Sequence, residues 1–466
     1  MDPELADAAL RTDVYELTMM QGFWASGRSS DAASYELFFR RTPEHGGYAV
    51  AAGIDDVVTM LTSMSFSGEH IEYLRSIRLF REDFLSYLSK LRFQGDVRAV
   101  PEGTVVFPNQ PILEVTGSLL EAQWVETLLL NCVNFQTLIA TKASRMVEAA
   151  KPSTVVEFGL RRAQGPNGGL WASKASYLAG CVGTSNVEAG YRFGIPVFGT
   201  HAHSWIMSFP TEREAFDAYA KTFPDQSTFL IDTYDTLGQG LSNAIAVSKE
   251  LARKGHQTRG IRLDSGDLAA LSKACRAELD RAGLSDVKIV ASSDIDEYSI
   301  TEFKRQSAPI DIYGVGTRLA TAYQEPALGG VYKMTALYQG TDWEPKMKIS
   351  STPGKSTLPG RKQIWRARRE GQFVGDVLAL AQENPPFDVL EEERNGTEFE
   401  PLLKDTIAKG ERVEEPTAIE AVRDRVADQV ASLPKEHRRL ADPTPYRVEL
   451  SHRLKAYRDE LFEKLA

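Results

Sequence analysis

The middle third of the chain alternates between short β-branched or apolar runs and amphipathic segments of helical period. Each unit takes about thirty residues, the size of a strand–helix–strand unit. This order predicts a parallel sheet, either doubly wound or closed into a barrel. The predicted strands are STVVEF (153–158), IPVFGT (195–200), STFLID (227–232), RGIRLD (259–264), VKIVAS (287–292) and IDIYGV (310–315). The predicted helices cover 167–180, 211–223, 241–255, 267–282 and 296–307.

Polar or glycine-rich residues follow nearly every predicted strand, and Arg or Asp stands inside several apolar strand ends. Polar loops alone do not distinguish a barrel from a doubly wound sheet, because loops after strands are polar in most proteins. Charged residues within the strand ends favour a barrel, since all its strand ends converge on the face where sites are built. In a doubly wound sheet only the switch point needs them.

The two chain ends follow a different pattern. Residues 96–117 predict short strands with Pro and Gly turns, and they lead into a long helix predicted over about 119–150. β character returns after residue 330, and the last 50 residues are helical and charged. We therefore expect a barrel over 141–334 beside a smaller domain. That domain would combine 1–140 with a β-meander and helical segment over 335–466.

Composition narrows the class of protein. The net charge is −10 and the isoelectric point about 5.4, which argues against nucleic-acid or membrane-surface partners. The three cysteines are far apart and in no metal-like spacing, as expected of thiols in a cytoplasmic protein. The N-terminus has no signal-peptide pattern, and the apolar stretch 127–143 is too polar to span a membrane.

Two of the seven histidines, His201 and His203, stand two residues apart after an apolar run. An H-x-H pair is typical of zinc hydrolases with barrel folds, but such sites need further histidines at later strand ends. The later histidines do not stand there: they are His256, His437 and His452. A metal hydrolase therefore lacks ligands, and one histidine acting as base or nucleophile is the better hypothesis.

Two segments resemble phosphate-binding motifs. GKST (354–357) lacks the glycine that a phosphate loop needs five residues earlier, where Ile349 stands, and no helix pattern follows it, so we reject it. GVGTRL (314–319) lacks the third glycine of a dinucleotide motif and is compatible with an ordinary tight turn. Such a turn can still present backbone N–H groups and the Thr317 hydroxyl to a phosphate.

The segment IRLDSGDL (261–268) places Arg262 and Asp264 on one side of a strand end, because side chains alternate along a strand. Such a pair is most often a structural ion pair, yet an Arg fork also binds carboxylates. EFGLRRAQGPNGG (157–169) adds Phe158 as a stacking ring and Arg161, with its neighbour, as anion ligands. Together these groups suit an aromatic acid and a phosphorylated sugar with Mg²⁺.

Eight ordered motifs of this chain resemble the nicotinate phosphoribosyltransferases. The resemblance implies an α/β fold with an irregular, TIM-like barrel and an open α/β sandwich domain, working as a homodimer. It implies transfer of phosphoribose from phosphoribosyl pyrophosphate to nicotinate, coupled to ATP hydrolysis, in NAD synthesis. The motifs are TDVYELTM (12–19), EFGLRRAQGPNGG, GTSNV (183–187), GTHAHS (199–204), IRLDSGDL, ASSDI (291–295), YGVGTRL (313–319) and PGRKQ (359–363).

The resemblance also implies roles for single residues. Tyr15, from the partner subunit, and Phe158 would sandwich the pyridine ring, while Thr200 and Arg262 would contact nicotinate. His203 would be the phosphorylated histidine, with His201 only its neighbour.

The phosphoribosyl side is implied in the same way. Thr317 would hold the ribose phosphate, and Asp232 and Asp264 the ribose hydroxyls or the Mg²⁺–pyrophosphate. The remaining implied substrate contacts are Arg161, Ser292, Asp294 and Gly316.

Ser185 bears on the choice of base. The related nicotinamide enzymes carry Asp at this position, which accepts from an amide and would repel a carboxylate. Ser185 therefore favours the acid. Two alternatives stay open: the same transfer to nicotinamide or another small aromatic base, and a non-catalytic ligand-binding homologue. The latter is expected to lack a catalytic residue, but Asp232, Arg262, Asp264 and His203 are all present.

Overall fold

The structure is a computed structural model that describes residues 7–340, 342–350, 356–385, 389–390 and 396–465. Gly354 and Lys355 of the GKST segment lie outside the described residues. The chain divides into two compact units. Unit 1 comprises Met1–Leu138 and Ala327–Ala466, so it combines both chain ends, and unit 2 is Ile139–Pro326.

Helices occur in both units. Over the described residues, none is both long and apolar enough to cross a membrane. In chain order the α-helices are α1 (Val14–Ala25), α2 (Ile54–Ser63), α3 (Gly68–Ser76), α4 (Glu82–Leu88), α5 (Leu119–Trp124), α6 (Glu126–Ala150), α7 (Gly165–Leu178), α8 (Val187–Phe193), α9 (His203–Met207), α10 (Glu212–Thr222), α11 (Leu241–Arg253), α12 (Leu268–Arg281), α13 (Glu297–Arg305), α14 (Thr317–Ala320), α15 (Ile419–Ser432) and α16 (His452–Leu465).

Strands likewise occur in both units. They are β1 (Ala32–Phe39), β2 (Ala49–Val50), β3 (Asp96–Ala99), β4 (Val105–Val106), β5 (Leu113–Ser118), β6 (Thr154–Glu157), β7 (Thr228–Leu230), β8 (Gly260–Leu263), β9 (Lys288–Ser293), β10 (Ile312–Val315), β11 (Gly330–Gln339), β12 (Asp342–Pro345), β13 (Lys362–Arg369), β14 (Gln372–Leu380), β15 (Thr397–Pro401), β16 (Lys404–Ala408), β17 (Glu411–Arg412) and β18 (Val448–Leu450).

Unit 1 is built on antiparallel strands. Its main sheet has the order β12-β11-β1-β5-β3-β16-β17, and every neighbouring pair is antiparallel. A second sheet, β15-β13-β14-β18, is antiparallel except where β18 runs parallel to β14. The β character predicted after residue 330 is therefore confirmed.

The central strand β1 of unit 1 is buried on both faces. Its Glu36 is 2 % exposed, and its carboxylate lies 3.0 Å from Lys362 Nζ. Burial raises the pKa of Glu36 to about 7, although the charge of Lys362 acts against that shift. Such buried charges are tolerated when they are paired, so this ion pair links β1 to β13.

Unit 2 contains a parallel sheet in the order β6-β10-β9-β8-β7. Single parallel bridges extend it beyond β6, from Glu157 to Thr184 and from Thr184 to Val197. The chain then reaches His201, whose Nε2 accepts a hydrogen bond from the amide of Leu230 on β7, at 3.4 Å. The two edges thus meet, and the sheet curls into the irregular barrel that was predicted.

Most predicted elements of unit 2 are confirmed, because β6 to β10 and α10 to α13 lie within their predicted segments or extend them by a single residue. The predicted strand 195–200 is wrong: only Val197 forms a bridge there. The helix predicted over 119–150 is two helices, α5 and α6, which meet at Val125. Local apolar pattern does not reveal such a break.

Candidate active site

Arg262, at the end of β8, is held by side chains from three other positions in unit 2. Its Nε donates to Ser292 Oγ at 2.7 Å, its Nη1 to Thr200 Oγ1 at 3.0 Å, and its Nη2 to Asp264 Oδ1 at 2.7 Å. A guanidinium carries five N–H groups. Two of them, one on each terminal nitrogen, therefore have no partner among the described residues and can serve a ligand.

Asp264 stands two residues after Arg262 and is 31 % exposed. Burial raises its pKa, but the hydrogen bond from Ser292 and the charge of Arg262 outweigh that effect and hold the pKa below its usual range. Its Oδ1 is the oxygen that Ser292 and Arg262 contact. Its Oδ2 accepts from no side chain or amide in the part of the chain that the structure describes, so this side chain is an anion with a free oxygen.

His203 is the first residue of α9, and its side chain is 40 % exposed. Its Nε2 lies 3.2 Å from Asp232 Oδ1, and the Asp232 side chain is 1 % exposed. The other oxygen of Asp232 accepts from the amide of Asp264 at 2.8 Å and from Ser265 Oγ at 2.6 Å. These contacts hold the Asp232 carboxylate beside the His203 ring.

His201 has a different environment from His203. It is 6 % exposed, its ring meets Tyr219 edge-on at 4.9 Å, and its Nε2 accepts from Leu230. Burial lowers the pKa of His201 to about 4. It is therefore a neutral residue of the barrel wall at physiological pH.

Phe158 follows β6 and lies under Arg262, whose guanidinium carbon is 5.9 Å from the ring centroid. The ring occupies the space above Gly314 of β10, where an added Cβ would lie 2.7 Å from ring carbons. The Phe158 amide donates to Val315 O at 2.6 Å. The absence of a side chain at Gly314 thus leaves room for the Phe158 ring in the barrel.

A cavity of about 620 Å³ occupies the barrel of unit 2. Phe158 and Thr200 border it near the carboxyl ends of the strands, while Thr228 and Lys288 border it near the amino ends. The cavity is large enough for a small aromatic acid. Thr200, which accepts from Arg262, borders it, whereas Arg262, Ser292 and Asp264 do not.

The remaining predicted contacts of unit 2 stand on its strand ends. Ser185, Gly316 and Thr317 are partly exposed, and Arg161 and Asp294 are exposed. Gly316 lies against the turn after Phe158, since an added Cβ on Gly159 would be 2.9 Å from Gly316 O. Among the described residues, none donates to or accepts from the Ser185 hydroxyl or the Arg161 guanidinium.

Tyr15 belongs to unit 1, where it lies on α1 and is 43 % exposed. Burial of its hydroxyl, together with the charge of Glu126, raises the pKa of Tyr15 above its usual range. The phenol is therefore uncharged at neutral pH and presents a neutral aromatic face.

Sequence reasoning missed three polar residues around the site. Ser265 helps to hold Asp232, while Glu157 and Thr184 form a buried hydrogen bond of 2.5 Å beside the Phe158 and Ser185 positions. The signal was present, because all three lie inside the conspicuous motifs. Asp267 caps α12 by accepting from the amide of Ala270 at 3.0 Å.

Three family models match the chain. The nicotinate phosphoribosyltransferase N-terminal domain matches residues 10–134, the nicotinate phosphoribosyltransferase family model residues 153–382, and its C-terminal domain residues 361–458.

Similar proteins cover nearly the whole chain. A nicotinate phosphoribosyltransferase of Mycobacterium tuberculosis is 43 % identical over 96 % of this chain and 92 % of its own length. The Bacillus subtilis protein of that name is 41 % identical over 95 % and 93 %. The crystal structure of human nicotinic acid phosphoribosyltransferase superposes with a TM-score of 0.82 and 34 % identity, covering 97 % of this chain and 99 % of that one.

Proposed function

Because the chain belongs to the nicotinate phosphoribosyltransferase family, we propose that it joins nicotinate to the phosphoribosyl group of phosphoribosyl pyrophosphate. The products are nicotinate mononucleotide and pyrophosphate, and the reaction leads from nicotinate toward NAD. The Arg262 cluster carries this proposal, since it offers two guanidinium N–H groups beside the Phe158 ring. Phe158 and Thr200 also border the cavity.

In the proposed reaction, Arg262 donates to the nicotinate carboxylate while Phe158 stacks on the pyridine ring. The pyridine nitrogen then forms a bond to C1′ of the sugar as the bond from C1′ to the pyrophosphate oxygen breaks. Positive charge develops on the sugar during this exchange, and the ionised Asp264 is placed to stabilise it. Thr317 and Arg161, at the strand ends, are the proposed phosphate contacts.

Mg²⁺ is a further part of the proposal. The Oδ2 atom of Asp264 fits it, because this oxygen is ionised, partly exposed and unclaimed by any described donor. Bound Mg²⁺ would neutralise charge on the leaving pyrophosphate.

We also propose that ATP phosphorylates His203. Nε2 faces Asp232, so Nδ1 is the nitrogen left to attack the γ-phosphorus as the bond to ADP breaks. The buried carboxylate of Asp232 then stabilises the positive ring. Hydrolysis of the phosphohistidine releases phosphate and returns His203 to its starting state.

A homodimer with shared sites completes the proposal. Exposed apolar side chains support it: Val14, Tyr15 and Met19 on α1 of unit 1, and Tyr191 and Met207 in unit 2. The thiols of Cys132, Cys181 and Cys275, none of which is oxidised to a disulfide, are in keeping with a cytoplasmic enzyme.

The test is to mix purified protein with phosphoribosyl pyrophosphate, Mg²⁺ and either nicotinate or nicotinamide, with and without ATP. Mononucleotide and ADP are then quantified. We expect product from nicotinate, and more of it with ATP. Product from nicotinamide alone would overturn the choice of base, and binding of nicotinate without product would favour a ligand-binding homologue.

A further inference from the structure

Glu157 ends β6 and is 1 % exposed. Its neighbours Val156 and Phe158 both border the barrel cavity. The Glu157 carboxylate instead bonds to Ser173 on α7, between the sheet and that helix. It therefore lies behind the barrel wall, where it touches neither the cavity nor a substrate.

Three donors converge on this carboxylate. Oε2 accepts from Thr184 Oγ1 at 2.5 Å, and Oε1 accepts from the amide of Gly159. The Ser173 hydroxyl shares its one proton between Oε2, at 3.0 Å, and Gly169 O, at 2.9 Å. Burial raises the pKa of Glu157, and the three hydrogen bonds act against that shift. We call this group, with Asn186, the Glu157 clamp.

Asn186 shows why the centre of the clamp must be an acceptor. Its amide donates to Thr184 Oγ1 at 3.0 Å, and its Nδ2 donates to Ser173 Oγ at 3.2 Å. Thr184 Oγ1 thus accepts from the Asn186 amide, and the shorter of its two donor contacts directs its one proton to Glu157 at 2.5 Å, not to Ser173 Oγ at 3.2 Å. A Gln at 157 has an amide NH₂ in place of one carboxylate oxygen. That NH₂ would face either the Gly159 N–H or the Thr184 and Ser173 hydroxyls, so a donor would meet a donor.

The clamp brackets two residues of the proposed base site. Phe158 stands between Glu157 and Gly159, and Ser185 stands between Thr184 and Asn186. Two main-chain hydrogen bonds connect the same two segments. Glu157 N donates to Gly183 O at 3.0 Å, and Ser185 N donates to Glu157 O at 2.9 Å. The Glu157 clamp, which lies outside the barrel cavity, therefore fixes the distance between the Phe158 ring and the Ser185 hydroxyl.

We propose that Glu157 is a positioning residue, which holds Phe158 and Ser185 at the spacing that gives the base site its affinity and its preference for the acid. This inference rests on the proposed function, because it assigns the base site to nicotinate. Its effect is exerted through Phe158 and Ser185 and not through contact with the substrate. Thr317, a proposed phosphate contact, makes no hydrogen bond to the clamp among the described residues, so phosphoribosyl pyrophosphate binding should change less than nicotinate binding.

The test is Glu157→Gln, with separate KM values for nicotinate and phosphoribosyl pyrophosphate and the ratio of nicotinate to nicotinamide turnover. We expect KM for nicotinate to rise roughly tenfold and the acid preference to fall, since small displacements at a site cost this much. KM for phosphoribosyl pyrophosphate should stay within about twofold. Thr184→Val should shift the same two quantities in the same direction, and it supplies the test if the Gln variant does not fold.

Glu102→Gln is the matched control. Glu102 is also a buried carboxylate that accepts from main-chain amides, those of Gly53, Ile54 and Asp55, but it lies in unit 1. If Glu157→Gln and Thr184→Val lower only the yield or stability, as is expected of this control, and leave the nicotinate KM unchanged, the inference is overturned. A wild-type protein that neither binds nor converts nicotinate would overturn the proposed function, and the inference with it.

Discussion

His201 and His203 are two residues apart in sequence, yet they have opposite environments. The His203 ring is 40 % exposed and faces a buried carboxylate, whereas His201 is 6 % exposed and packs on Tyr219. A charged or phosphorylated ring is compatible only with the first environment, because no described acidic side chain pairs with His201. The difference in burial and in hydrogen-bond partners therefore assigns different roles to His201 and His203.

Replacing His203 by Ala should abolish the stimulation by ATP. The variant has no nitrogen to accept the phosphoryl group, so ADP formation should fall to background while slow ATP-independent transfer to nicotinate continues. The measurement is ADP and mononucleotide in one assay, with His201→Phe as the control that keeps the His203 nucleophile. Normal ATP stimulation in His203→Ala would exclude the phosphohistidine.

His201 should make stability depend on pH. Its pKa is about 4 in the native state and about 6.5 when unfolded, so the unfolded chain binds more protons between these values. Native stability should therefore fall as pH drops from 6.5 to 4, by about 2–3 kcal/mol between pH 7 and 4.5. Urea unfolding of wild type and His201→Phe at the two pH values measures this. An equal pH dependence in both proteins would contradict it.

Ser185→Asp should move the preference from nicotinate toward nicotinamide. A carboxylate at this position repels the acid and accepts from the amide, and a buried unpaired charge costs several kcal/mol. Since roughly 1.4 kcal/mol is tenfold, the ratio of kcat/KM for the two bases should change at least tenfold. Ser185→Asn is the uncharged control. An unchanged ratio would remove Ser185 from base selection.

At the scale of elements, the site depends on how closely neighbouring strands approach. Gly314 on β10 has no side chain, and the Phe158 ring at the end of β6 occupies that space. The same closeness joins the turn at Gly159 to Gly316. Adjacent strands in a parallel sheet are under 5 Å apart, so one methyl group between them displaces what it meets.

Gly314→Ala should therefore weaken nicotinate binding. The new Cβ would lie 2.7 Å from the Phe158 ring, and overpacking of this kind costs roughly 1–3 kcal/mol. We expect KM for nicotinate to rise roughly tenfold, as 1.4 kcal/mol is tenfold. Gly68→Ala is the control, because its Cβ would meet nothing within 4 Å. Equal KM values in the two variants would show that the ring does not depend on Gly314.

At the scale of the molecule, the proposed shared site makes a prediction about mixed dimers. Tyr15 lies in unit 1 and Arg262 in unit 2. If each site takes Tyr15 from the partner, a dimer of Tyr15→Ala with Arg262→Ala has one intact site and one with both lesions.

Co-refolding the two inactive variants in equal amounts should then restore about a quarter of wild-type activity, since half of the dimers are mixed and half of their sites intact. Each variant refolded alone is the control. No recovery, with mixed dimers shown to form, would place Tyr15 in the site of its own chain.

Much of this protein is determined by local sequence. Apolar alternation is enough to predict β6 to β10, because a buried strand needs apolar side chains along its length. Arg262 and Asp264 could be paired in advance, since the two-residue period of a strand puts them on one side. The rejection of GKST (354–357) as a phosphate loop rests on an equally local rule.

Only the tertiary structure decided the rest. The helix predicted over 119–150 is interrupted at Val125, and the strand predicted over 195–200 is a single bridge. The contact between Asp232 and His203 also forms only in the folded chain. The Glu157 clamp joins residues from β6, α7 and the Thr184 bridge. The physical reason is the same in each case: these outcomes depend on contacts between residues far apart in the chain, and hydrophobic period carries no information about which distant partner a polar side chain will meet.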